Sequence, residues 1–295
     1  MSDFGYVCAH TIEEALQWLN EPGQRSRVLA GGTDLLVQAR GGPVDFDRVV
    51  DISRIPELKI IDVPDAADGA GGEVVIGAGV TFTRLLQHAG LCARAPLLAE
   101  ACGYIGSPQI RNAATLGGNV ANAAACADSV PALVCLEADA LIVSAAGETR
   151  CPVAELITGT HRTQLAPGAL IRAFRFKLPP AGSRAAFERL GRRRAMAIAR
   201  LSLAALGARG PGGQIAWLRL VPGAAFARFR RARAVEEALI GQAPSPALLA
   251  QAGRQMAELF LAESGRRWSA DWKEKALAAL TERALRRVVG GPDAN

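Results

Sequence analysis

Val28-Leu29-Ala30-Gly31-Gly32-Thr33-Asp34-Leu35-Leu36 and Ala113-Ala114-Thr115-Leu116-Gly117-Gly118-Asn119-Val120-Ala121 share one pattern: an apolar run, a Gly-Gly pair, and flanking Thr and Asp or Asn. A glycine pair lets the backbone enter positive φ and lets consecutive N–H groups point into one concavity. With no Cβ in the way, an anion such as a pyrophosphate approaches those N–H groups closely. The flanking side chains add hydroxyl, carboxylate and amide contacts. Two such turns from distant parts of one chain suit the two ends of a dinucleotide, whereas either pair alone also reads as a tight turn between strands. Neither is a standard nucleotide fingerprint. The Gly-Lys-Ser/Thr ending of a P-loop is missing, and Gly77-Ala78-Gly79, the nearest approach to G-x-G-x-x-G, has Phe82 where the third glycine belongs.

At 295 residues the chain is long enough for two or three structural units. Half of the residues are hydrophobic and 21% are charged, a globular profile. The net charge of +6 raises nucleic acid as a partner, but the basic residues are almost all Arg, spread along the chain, and only 5% of residues are aromatic. That combination makes no stacking surface for single strands. The excess charge reads instead as solvated surface, a subunit interface or a favourable field for an anionic cofactor. There is no basic start followed by an apolar h-region and no run of about 18 apolar residues, so the expectation is a cytoplasmic protein with no membrane span. Six cysteines form no C-x-x-C pair, which argues against a zinc site or a local iron–sulfur cluster. Cys126 and Cys135 read as small buried residues. His10, His88 and His161 are scattered without metal spacing and read as surface or helix residues, so no metal site and no catalytic acid or base stands out.

Thr11-Ile12-Glu13-Glu14 is a capping box that opens a short amphipathic helix. A strand at 28–30 runs into the first glycine turn, 34–40 reads as a helical turn, and 49–52 and 58–63 read as strands. Residues 64–72 read as a polar hairpin loop before a strand at 74–78. Helices at 83–89 and 95–102 follow, then a turn at Gly106-Ser107-Pro108, a helix at 129–136, and strands at 141–144 and 170–178. Pro179-Pro180-Ala181-Gly182-Ser183 is the clearest linker. Beyond it lie strands at 186–190, 197–206 and 215–221 and helices at 232–240, 246–261 and 270–287. The expected fold class is α+β: a two-part α/β domain, residues 1–58 and 59–179, followed by residues 184–288 as an antiparallel three-stranded sheet with helices.

The two glycine stretches resemble the flavin-binding signature of the FAD subunit of molybdenum hydroxylases, the xanthine dehydrogenase and carbon monoxide dehydrogenase family. The likeness continues through Phe187-Glu188-Arg189-Leu190-Gly191-Arg192-Arg193-Arg194-Ala195-Met196-Ala197-Ile198-Ala199, through Arg231-Ala232-Arg233-Ala234-Val235-Glu236, and through Asp271-Trp272-Lys273-Glu274-Lys275 before an Ala/Leu helix. It implies a PCMH/vanillyl-alcohol-oxidase-like FAD-binding domain and non-covalent FAD. Gly31, Gly32, Gly117 and Gly118 would give backbone contacts to the phosphates, with Thr33 and Thr115 as hydroxyl donors. Val28, Leu29, Ala30, Asp34 and Leu35 would line the cofactor along the first stretch, and Asn119 and Ala121 along the second, Asn119 at the ribityl or phosphate region. Ile105 and Gly106 match the position that approaches the isoalloxazine ring, where some relatives carry a larger aromatic. Leu170 or Ile171 would touch the ring or the adenine side.

Asp128 stands either as the N-cap of the helix at Ser129 or as a residue facing the flavin. Arg189 stands where many relatives have Lys near the pyrimidine edge; the alternative is an exposed arginine on a strand. Trp272 replaces a frequent Tyr and reads as packing. The resemblance implies an oxidoreductase: an electron-transfer subunit that partners a small 2Fe–2S subunit and a large molybdopterin subunit, as one heterotrimer or two, and delivers electrons to an acceptor such as NAD or quinone. A self-contained FAD oxidase or dehydrogenase and a flavin-free scaffold subunit are the alternatives.

Overall fold

Strand β1 (Gly5–Cys8) leads into helix α1 (Ile12–Leu19), whose start is set by its caps. Thr11 Oγ1 accepts from the Glu14 N–H, and the Glu14 carboxylate accepts from the His10 N–H, so two orphan donors are satisfied at one turn. Strand β2 (Ser26–Leu29), helix α2 (Leu35–Gly41) and strand β3 (Arg48–Asp51) complete a parallel sheet of order β1-β3-β2. The structure is a computed structural model, and it describes residues 4–64, 72–193, 196–266 and 269–290. The loop expected at 64–72 therefore lies mostly outside the described residues, as do Arg194 and Ala195.

The second unit is a mixture of one antiparallel sheet and many short helices. Of the strand expected at 58–63, Leu58 and Lys59 belong to a 3-10 turn, Pro56–Lys59, with Pro at its start, and only β4 (Ile61–Asp62) is strand. After β5 (Glu73–Gly77) come α3 (Phe82–Gln87), α4 (Ala89–Arg94), α5 (Pro96–Gly103), α6 (Pro108–Ala113), α7 (Leu116–Asn122) and α8 (Ser129–Cys135). Strands β6 (Asp139–Ser144) and β7 (Gly147–Pro152), the single turn α9 (Val153–Leu156), the small hairpin β8 (Ile157–Gly159) and β9 (Arg162–Thr163), and β10 (Leu170–Lys177) follow. The large sheet runs β4-β5-β10-β6-β7, antiparallel throughout. Helices α4 and α6 and strand β7 go beyond the sequence reading. For α6 the signal was present: Ser107 caps Ile110 N–H and Pro108 sits at the first helical position.

Strands β11 (Arg184–Gly191), β12 (Ala199–Arg209) and β13 (Ile215–Gly223) form the C-terminal antiparallel sheet, as expected from the residue pattern. Helices α10 (Arg233–Leu239), α11 (Pro246–Ser264) and α12 (Ala270–Val289) follow it. The central strand β12 is apolar on both faces because both are covered. Ala204 and Leu206 join the core of the second unit with Phe187 and Leu133. Leu201, Leu203 and Ala205 join a separate core with Met256, Phe260 and Leu285 of α11 and α12. Among the described residues no helix is long and apolar enough to cross a membrane.

The first unit meets the second backbone to backbone at Gly31, and a like approach at Gly117 lies within the second. A Cβ on Gly31 would lie 2.0 Å from the carbonyl oxygen of Ala113, at the end of α6. A Cβ on Gly117 would lie 2.5 Å from the Cβ of Ala78. Neither obstacle is a flexible side chain, so the backbones themselves must separate to admit a larger residue. Gly31→Ala is expected to cost about 1–3 kcal/mol as an overpacking change and to lower the thermal midpoint by several degrees. Gly41→Ala, with nothing within 4 Å of the added Cβ, should leave it unchanged. Thermal unfolding of the two flavin-free variants by circular dichroism makes the comparison, and equal midpoints would contradict the tight contact.

Candidate functional site

The turn after β2 is built to present backbone. Gly32 has φ +70°, a conformation open to glycine at little cost. Its carbonyl accepts from Leu36 N–H and the Asp34 carbonyl from Gln38 N–H, so α2 grows directly out of the turn. Among the described residues, none of the main-chain N–H groups of residues 31–34 has a protein acceptor. The Asp34 carboxylate makes no cap bond to its own helix.

The second glycine stretch is not a turn. Thr115 is the N-cap of α7, and Gly117 and Gly118 are in its first turn. Gly117 N–H donates to Ala78 O, Leu116 N–H to Val80 O and Gly118 N–H to Thr115 Oγ1, so these amides are already satisfied within the protein. The expectation that both glycine pairs offer free amides holds for the first alone. The second contributes space: a Cβ on Gly118 would meet only Thr115 Oγ1, at 3.0 Å, and the rest of that side is open. Thr115 is buried and accepts through its oxygen, which leaves its hydroxyl hydrogen as a donor. Asn119 Oδ1 accepts from the Ser129 hydroxyl at 2.7 Å, which leaves its NH₂ as a donor.

Between the two stretches lies a cavity of about 1000 Å³, at the upper end of the usual range for small-molecule sites. Its lining brings together Val28, Ala30, Gly31, Gly32, Thr33, Asp34 and Leu35 from the first unit with Ile105, Thr115, Gly117, Gly118, Asn119, Ala121, Leu170 and Ile171 from the second. Four expected residues do not line it. Strand alternation turns Leu29 into a small core with Phe46 and Val49 while Val28 faces the other way. Gly106 has φ +51° and packs on Ile110.

Asp128 and Arg189 form a pair of their own. Arg189 Nε donates to Asp128 Oδ2 at 2.9 Å, both side chains being 5% exposed, and the guanidinium also bonds Ala197 O and lies over the Tyr104 ring. Arg189 is thus neither the exposed strand residue of one reading nor a free cation. Asp128 makes no side-chain cap to α8, and its Oδ1 is buried without a partner. Burial pushes the Asp128 carboxyl up to about 6, against the opposing pull of the Arg189 guanidinium. Cys126 is half-buried, not buried like Cys135, and burial likewise pushes its thiol up.

Three cavity residues carry chemistry that the sequence reading did not assign. Arg27, at the exposed side of β2, and Arg162, at the start of β9, line the cavity without an ion pair or hydrogen bond among the described residues. His161, read as a surface or helix residue, is the hairpin turn beside Arg162. No local motif marks a two-residue hairpin whose position depends on the packing of α7.

Two family profiles match in sequence order. The one described as the FAD binding domain in molybdopterin dehydrogenase covers residues 2–179, and the one described as the CO dehydrogenase flavoprotein C-terminal domain covers residues 185–288. The chain belongs to the FAD-binding subunits of the xanthine dehydrogenase and carbon monoxide dehydrogenase family. Its cofactor is FAD. It is 33% identical over 190 residues to the 6-hydroxypseudooxynicotine dehydrogenase complex subunit alpha of Paenarthrobacter nicotinovorans, a match over 64% of this chain and 62% of that one. It is 34% identical over 181 residues to the xanthine dehydrogenase FAD-binding subunit of Escherichia coli O157:H7, over 61% and 60% of the two chains. The matched stretches thus span less than two thirds of these relatives. A carbon monoxide dehydrogenase structure from Hydrogenophaga pseudoflava superimposes with a TM-score of 0.88 at 28% identity, covering 97% of each chain.

The flavoprotein subunit should show one pH signature of its own. With a folded-state value raised above the usual carboxylate range near 3.9, Asp128 binds its proton more tightly folded than unfolded. Its contribution to stability is therefore greatest near pH 4 and declines as the pH rises to about 6. Asp128→Asn removes that component, so the difference in urea midpoint between variant and wild type should grow across this window and be flat above it. A constant difference from pH 4 to 8 would mean that Asp128 stays ionised throughout.

Proposed function

We propose that this chain is the electron-transfer flavoprotein of a molybdenum hydroxylase, joined to a small 2Fe–2S subunit and a large molybdopterin subunit, in one heterotrimer or a pair of them. The observation that carries the reading is the pairing of two unlike glycine stretches on one cavity. Residues 31–34 offer amides without protein acceptors, and Gly118 leaves its side open. These features fit a dinucleotide: donors for a diphosphate, a backbone approach with no Cβ, and room for an extended ligand.

FAD would be held along residues 30–35, with Thr115 and Asn119 donating a hydroxyl hydrogen and an amide, and with Ile105, Leu170 and Ile171 giving apolar contact. Bound there, FAD supplies a two-electron store that also exchanges single electrons, the property needed between one-electron clusters and an acceptor such as NAD or quinone. The Ser129 hydroxyl fixes the Asn119 amide so that its NH₂ is the free end. The α7 cap fixes the Thr115 oxygen in the same way. The division at residues 58 and 179 belongs to the same reading, supported by the separate sheets on either side. Among the described residues no group of three or more His, Cys, Asp or Glu is arranged to hold a metal ion, so the proposal assigns the clusters and molybdopterin to the other subunits.

Native purification tests the reading. Acid-releasable FAD at about one per chain, with iron–sulfur and molybdenum signals from co-purifying chains, is the expected result. FAD without those metals would favour a self-contained flavoenzyme, and no flavin would remove the proposal. Gly118→Leu fills the open side without touching the packing contacts of Gly31 and Gly117. It is expected to abolish flavin retention while the flavin-free chain keeps its thermal midpoint, and a variant that retains stoichiometric FAD would refute the cavity assignment.

A further inference from the structure

A two-stranded hairpin of five residues does not hold itself in place, yet β8–β9 is anchored at every side. The His161 N–H donates to Ala123 O at 2.8 Å, and His161 Nδ1 lies 2.9 Å from Asn122 O, both at the C-terminal end of α7. A carbonyl only accepts, so Nδ1 carries a hydrogen there. Gln164 N–H donates to Leu156 O and its amide to Glu155 O, and Arg228 Nε donates to Thr158 O from the C-terminal region. His161 itself has φ +55°, at a turn position where Gly or Asn is favoured. A side chain is kept where glycine would relax the backbone.

That anchoring carries Arg162 into the cavity lining. Its guanidinium is exposed and makes no ion pair or hydrogen bond among the described residues, although Asp34 and Asp45 line the same cavity. Of the other lining arginines, Arg25 is matched with Asp47, whereas Arg27 is unmatched like Arg162 among the described residues. An unmatched, forked donor lining the same cavity as unpartnered amides is suited to a diphosphate, which takes charge-assisted bonds from both.

We propose that the β8–β9 hairpin is a second jaw of the cofactor site, in which Arg162 binds the diphosphate and His161 is the positioning residue that ties the jaw to α7. The inference rests on FAD occupying this cavity. It assigns the anionic part of the ligand to a cation outside both glycine stretches.

The test is a titration of the flavin-depleted full chain with FAD and, separately, with riboflavin, which lacks the phosphates. Arg162→Ala should weaken FAD about tenfold, the scale of one lost charge-assisted bond, and leave riboflavin affinity unchanged. Arg162→Lys should recover most of the loss. His161→Gly, which suits the backbone but removes the ring bond, should weaken FAD by several-fold with the flavin-free thermal midpoint unchanged. Wild-type FAD affinity should fall more steeply with salt than riboflavin affinity, and Arg162→Ala should flatten that dependence. Equal FAD affinity in Arg162→Ala and wild type would overturn the proposal, as would equal losses for FAD and riboflavin. A wild-type chain that binds no FAD at all would instead overturn the assignment of the cavity on which this inference rests.

Discussion

The approach of Gly31 to the carbonyl of Ala113 is the constraint around which the cavity is organised. Two segments far apart in sequence touch through backbone atoms, closer than any side chain permits. A second contact of the same kind brings Gly117 against Ala78. Together they hold the parallel sheet of the first unit, the end of β5 and the start of α7 at fixed separations, and the cavity is the space that remains. Each glycine pair therefore divides its labour. The first member answers to packing, while the second answers to the turn at Gly32 or to the open side at Gly118. A cofactor site made this way is rigid at its floor, which is what preorganised binding requires.

The C-terminal sheet is tied to the second unit by charge as well as by the double-sided strand β12. Arg287 of α12 bridges Glu100 of α5 and Glu188 of β11, and Glu100 also accepts from the Phe187 N–H. Arg231 joins Glu236 to Glu137, which Arg219 reaches from β13. Glu236 is almost fully buried and accepts from the Leu220 N–H. Such groups are weak evidence for net stability, since desolvation offsets much of the attraction, but losing one partner strands a buried charge. Their effect is to specify a single placement of the sheet on α5 and α8. The Asp128–Arg189 pair lies in that same junction and crosses it.

Much of this was legible in the residues. Alternating apolar positions gave the three C-terminal strands, and the capping box at Thr11 gave α1. The glycine stretches marked both walls of the cavity. What the residues did not disclose is mostly tertiary. Leu116–Asn122 contains two glycines, poor helix formers, and became helical because Thr115 caps it and the loops of β5 accept its first amides. Arg189 and Asp128 looked like separate contacts, and only the fold shows that each is the other's partner. The family resemblance puts Leu29 with Val28 along the cofactor, although strand geometry sends neighbours to opposite faces. His161 and Arg162 carry no local signature, because their meaning comes from where α7 ends.

The distribution of unmatched cations connects composition to site. The chain has a net charge of +6, yet several of the arginines that join elements, among them Arg219, Arg231 and Arg287, are neutralised by carboxylates. On β2 and its surroundings, Arg25 and Arg48 are paired while Arg27 between them is not. On the hairpin Arg162 has no partner among the described residues either. Two unmatched arginines thus line a cavity whose amides already favour an anion, and low-dielectric walls focus the field that they make. The same charges facing open solvent would be screened within about 8 Å at physiological salt. Lining a cavity, Arg27 and Arg162 act on whatever enters it.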